Sequence, residues 1–167
     1  MKKKGIRNVL VTLGIISLFL IGGYIYILYI FTGDVFMNSE KYIVDKSFND
    51  LDLEIYQFKK ANPKYCLITT NEQGEEYKFQ DYNTPKHYHV FFYWEDKNLT
   101  VQCLIDPVDD KNALLSLYAV SKGVNFGTWK SINTGDLTKE ENAELKKKFE
   151  TEILNKLGKW KHKRWYN

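Results

Sequence analysis

Hydrophobic and polar positions follow different rhythms in different parts of this chain. From residue 9 to residue 31 there is none: VLVTLGIISLFLIGGYIYILYIF carries no charge over 23 positions. A bilayer core about 30 Å thick is crossed by roughly 20 apolar residues in a helix, so this run predicts a transmembrane segment. Lys2, Lys3, Lys4 and Arg7 precede it, and no cation follows until Lys41. That asymmetry predicts residues 1–8 as a cytoplasmic basic N-terminus, 9–31 as a signal anchor and the remainder outside the cytoplasm. Tyr24, Tyr26 and Tyr29 cluster at the outer end, where phenol rings suit the headgroup boundary. A cleaved signal peptide is the competing reading. It calls for a shorter apolar stretch and small residues of the A-x-A kind, whereas the best local site here is Ile21-Gly22-Gly23.

Beyond a connector, residues 32–46, a helical rhythm begins. Phe48, Leu51, Ile55 and Phe58 recur at three- and four-residue steps behind Ser47, a natural cap, and Asn62-Pro63 ends the run. This predicts a helix over 48–61. A two-residue rhythm follows. Tyr65–Thr70, Glu76–Gln80, His87–Trp94, Leu99–Ile105, Leu114–Val120 and Phe126–Ile132 read as strands, separated by turns too short for parallel crossovers. The helical rhythm returns after Thr138, which with Glu141 makes a capping box. Leu145, Phe149, Ile153 and Leu157 then recur every four residues up to Gly158. The predicted class is α+β: a two-layer domain over 47–158, helix, antiparallel meander of about five or six strands, helix. If Phe92 and Trp94 face its core, Phe91 and Tyr93 form a second aromatic face, covered by the chain itself or by a partner.

Charge divides the outer part. Residues 34–145 hold 19 Asp/Glu against 12 Lys/Arg, a net of −7, whereas residues 146–167 hold eight Lys/Arg against two acids, a net of +6. The tail, 159–167, interleaves Lys159, Lys161, Lys163 and Arg164 with Trp160, Trp165 and Tyr166. Cations favour anionic headgroups and aromatics favour the interface, so the tail reads as a segment that contacts anionic lipid or an envelope polymer. The competing reading folds it back on the acidic body. Placement outside the cytoplasm disfavours nucleic acid as a partner.

The candidate chemistry is sparse. His87 and His89, two apart on a strand, point to one side and suit a shared metal ion. Such a site needs a third ligand, for which His162, Glu95 and Asp106 are candidates. Cys66 and Cys103 permit a disulfide in an oxidising compartment, closing a loop of about 38 residues and contributing about 4 kcal/mol. Two buried thiols are the alternative. There is no phosphate-binding loop and no nucleophile with a base nearby in sequence. The expectation is a single-pass, membrane-anchored, non-enzymatic binding or assembly module of the cell envelope, with an envelope protein as one class of partner. The alternative is an anchored metal-dependent hydrolase built on His87 and His89.

Overall fold

The computed structural model describes residues 14, 17–24, 38–124 and 127–164. The chain divides into two units, Met1–Met37 and Asn38–Asn167. In the first, residues 14 and 17–24 are helical. No helix of the described residues is long and apolar enough to cross a membrane. Much of the 9–31 run lies outside them, as do residues 32–37 of the expected connector.

The second unit is α+β with one mixed-length antiparallel sheet. Helix α1 spans Phe48–Ala61, as its apolar spacing requires. Ser47 caps it by accepting the Asp50 N–H at 3.2 Å. Leu51, Ile55 and Phe58 are buried along one side. A 3₁₀ turn, Pro63–Tyr65, leads into a separate small hairpin, β2 (Ile68–Thr70) with β3 (Glu76–Lys78).

The main sheet departs from a simple meander. Its order is β4 (Tyr82–Asn83), β5 (Tyr88–Trp94), β6 (Leu99–Pro107), β7 (Ala113–Lys122), β1 (Glu40–Val44), β9 (Trp160–His162). Strand β8 (Trp129–Ser131) pairs with β7 beyond the end of β1. So β7 offers Ala113–Leu117 to β1 and Ala119–Ser121 to β8 along the same edge. The register shifts between Gln102 and Cys103, leaving Tyr118 as the extra residue of a bulge between those two stretches. Two sequence expectations are corrected here. Residues 40–44 belong to an interior strand rather than to a connector, and residues 160–162 form an edge strand rather than a separate tail. Both strands are short, and both are specified by a distant partner's open hydrogen-bonding edge rather than by their own alternation.

The last helix begins at α2 (Lys139–Phe149) with both bonds of the capping box: Thr138 Oγ1 accepts from Glu141 N at 3.1 Å, and Glu141 Oε2 from Thr138 N at 2.7 Å. It passes through a π turn, Glu150–Leu154, into a final turn, Asn155–Leu157. The four-residue spacing accounts for this. At 3.6 residues per turn, steps of four drift by about 40° each. A wider i→i+5 turn takes up the drift, and Leu145, Phe149, Ile153 and Leu157 all stay buried. Gly158 then turns the chain at φ 140°, where a Cβ would lie 3.1 Å from Lys46 Cε.

One core joins both helices to the same sheet face, through Val90, Phe92 and Trp94 of β5, Val101, Cys103 and Ile105 of β6 and Tyr42 and Val44 of β1. The opposite face carries His89, Phe91 and Tyr93, as alternation requires. It is not an open aromatic surface. Phe91 is only 3% exposed, with Phe79, Tyr82 and Trp129 packed around it at ring distances of 5.0, 5.8 and 6.4 Å.

Candidate functional site

His87 and His89 fall on the same sheet face, and the structure brings Asp106 to them but not Glu95 or His162. Asp106 is directly across from His87 on β6, and its Oδ1 lies 2.6 Å from His87 Nδ1. His89 is held differently. Gln102 Nε2 donates to His89 Nδ1 at 3.0 Å, the ring stacks on Tyr82 at 4.8 Å, and Nε2 faces Thr84 Oγ1 at 3.5 Å. Since the Thr84 hydroxyl donates to the His87 carbonyl at 2.8 Å, it meets His89 as an acceptor. These bonds define a neutral imidazole with its proton on Nε2. Burial, and then the neighbouring His87, hold the His89 pKa below its ordinary value of 6.5, against the pull of Asp106. Among the described residues no group of three or more His, Cys, Asp or Glu side chains could hold a metal ion. Glu95 opens the turn after β5, and His162 lies on β9.

The basic C-terminal segment is split by its strand. β9 pairs with β1 through Trp160 against Val44, Lys161 against Ile43 and His162 against Tyr42. Asp45 N donates to Lys159 O at 3.0 Å, and Lys163 N to Lys41 O at 2.8 Å, extending the ladder at both ends. Trp160 turns to the helix side. It meets Tyr42 edge-on at 5.3 Å and donates from Nε1 to Asn155 Oδ1 at 2.8 Å. His162 lies on that side too, 3.2 Å from Glu40 and 3.7 Å from Glu150. Lys161 and Lys163 take the other face, level with Ile43 and Lys41, and Lys159, Lys161, Lys163 and Arg164 are all exposed. Trp165 and Tyr166 lie outside the described residues.

Cys66 and Cys103 are both free and buried, the second of the two readings of the pair rather than a disulfide. Cys103 faces the core from β6, and burial pushes its thiol far above the ordinary range. Cys66 Sγ instead donates to the Lys59 carbonyl at 3.5 Å.

The sequence reading passed over the cleft beside α1. Lys59 is 7% exposed, with Nζ 4.8 Å above the Phe92 ring and bonded to both carboxylate oxygens of Asp81 at 2.6 and 2.7 Å. Burial lowers the Lys59 pKa, and Asp81 opposes that shift. Asp81 also accepts the Phe91 N–H at 2.9 Å. It thus takes over the edge of β5 where the two-residue β4 stops. Around the pair opens a 540 Å³ cleft lined by Leu53, Tyr56, Phe79 and Tyr88. Leu53 and Tyr56 are 54% and 61% exposed, off the buried stripe of α1. The signal was present in the sequence. Lys59 sits four residues after Ile55 on the buried side, and Leu53 and Tyr56 form an apolar pair three apart on the other. A second cleft, of 510 Å³, has Leu99, Val120, Leu137 and Leu145 in its lining, with the Lys97–Glu144 pair at 2.5 Å beside them.

No family model matches the chain, and neither does any curated protein or solved structure.

Proposed function

We propose that this chain is a single-pass membrane protein whose α+β unit lies outside the cytoplasm and serves as a non-enzymatic binding or assembly module of the cell envelope. The observation that carries the reading is the uncharged run of residues 9–31, with four cations ahead of it and none behind it before Lys41. Binding is favoured by the cleft beside α1, where Leu53 and Tyr56 offer exposed apolar surface next to a buried ion pair. Both thiols are buried, a placement that shields them in an oxidising compartment.

The test uses the full chain with a C-terminal tag in cells. The protein stays with membranes through alkaline carbonate, keeps its N-terminus and loses its C-terminal unit to protease added to right-side-out spheroplasts. A C-terminal unit spared until lysis overturns the topology. A mature N-terminus beginning after the apolar run overturns the anchor.

A further inference from the structure

We infer that the β1–β9 edge is a cationic surface that lies on anionic lipid headgroups, an inference that rests on the membrane reading above. Three observations carry it. First, pairing with β1 fixes where the basic residues are. Lys161 and Lys163 share the sheet face turned away from the helices, level with Ile43 and Lys41, while Lys159 and Arg164 are exposed at the strand's two ends.

Second, Lys159, Lys161 and Lys163 are not spent on the protein's own acids. His162 takes Glu40 and Glu150, and Lys146 takes Glu40. Among the described residues no carboxylate pairs with Lys159, Lys161 or Lys163. The rest of the outer chain, 34–158, is still net negative, with 21 Asp/Glu against 16 Lys/Arg. An anionic surface is therefore attracted at this edge and repelled elsewhere.

Third, β1 is the first strand among the described residues after the apolar run. Only nine residues, 32–40, lead from residue 31 to the start of that strand. At roughly 3.3–3.6 Å per residue, such a tether reaches no further than about 30 Å. Lysines on an edge strand also discourage addition of another strand. With Trp160 committed to Tyr42 and Asn155, the described residues of this edge offer the headgroups charge.

The full chain in lipid nanodiscs tests this by acylation of lysines, read residue by residue by mass spectrometry. In discs containing phosphatidylglycerol, acylation of Lys159, Lys161 and Lys163 falls several-fold relative to phosphatidylcholine discs. Lys111, in the β6–β7 loop, does not change, and raised salt removes the protection. Lys161→Gln with Lys163→Gln, both exposed positions, abolishes the protection of Lys159. Equal acylation in the two lipids overturns the inference while leaving the anchor intact. So does protection by soluble polyphosphate over phosphatidylcholine discs but not by phosphatidylglycerol, which assigns the edge to an envelope polymer. A chain that carbonate strips from membranes fails the anchoring reading itself, and this inference with it.

Discussion

The two faces of the sheet are built from the same strands and do different work. On the helix side, β5 contributes Val90, Phe92 and Trp94, all at most 1% exposed, to one continuous apolar core. On the other side the same strand contributes His89, Phe91 and Tyr93 to a mixture of stacked rings, hydrogen-bonded polar groups and, toward β9, exposed lysines. The period of two lets each strand serve both sides, and it concentrates the continuous apolar core on one of them. Buried does not mean equivalent. Phe91 is nearly as inaccessible as Phe92, yet its cover comes from a short excursion, residues 79–82, and from β8, rather than from two helices.

Substitutions sharpen that contrast. The largest effect is expected for Phe92→Ala, about 3–5 kcal/mol in chemical denaturation, because a fully buried ring among Phe58 and Phe149 leaves a cavity. Phe91→Ala costs less, since its neighbours come from shorter elements. An equal or larger loss at Phe91 breaks the distinction between the faces.

The Lys59–Asp81 pair sits where the faces meet, at the β5 edge. Asp81→Ala leaves a buried ammonium and the Phe91 N–H without their acceptor, and is expected to cost about 3 kcal/mol. Lys59→Met costs less, because the Asp81 carboxylate keeps the Phe91 N–H and is the more exposed partner. The reverse order would show that the ammonium, not the edge, is what the pair stabilises.

Thr138→Ala removes one arm of the capping box, and about 1 kcal/mol of stability with it. The helix side should register that loss with no change in the environment of His89, which imidazole NMR shifts would report.

The smallest effect is a pH slope on the polar face. The folded state holds His89 below its ordinary pKa of 6.5, so the unfolded chain takes up the proton first as pH falls. This contribution is complete above pH 6.5 and is lost progressively below it. The melting temperature therefore drops between pH 7 and pH 5, and drops less in His89→Gln. Glu40 and Asp96, whose carboxyls are held below the usual range, Glu40 by Asn133 and then Lys146 against its burial and Asp96 by Lys148, act at lower pH. An unchanged slope in His89→Gln assigns the effect to another group.

Much of the architecture could be read from local pattern. The 48–61 helix, its Ser47 cap, the Thr138–Glu141 box, the β5–β7 strands and the aromatic split of β5 all follow from spacing within a single element. What spacing missed is equally specific. Glu40–Val44 looks like a connector because only five residues carry its strand character, and β7 supplies the partner. Lys159–Arg164 looks like a surface segment because its charges dominate, although Trp160 and His162 alternate with the lysines as an edge strand does. The two thiols, for which spacing left both a bridge and separate burial open, turn to different neighbours. The paired histidines share a face, but Gln102 and Asp106 across the strand decide what each nitrogen binds.

Local rhythm alone therefore established the class of each long element, the anchor expectation and the charge asymmetry, because periodicity and caps are properties of neighbours in the chain. Which residues become strands at β1 and β9, where the basic edge faces, and that Lys59 is buried against Asp81 were decided only in three dimensions. Hydrogen bonds between strands and the burial of a charge depend on groups dozens of residues away, and no local pattern records their positions.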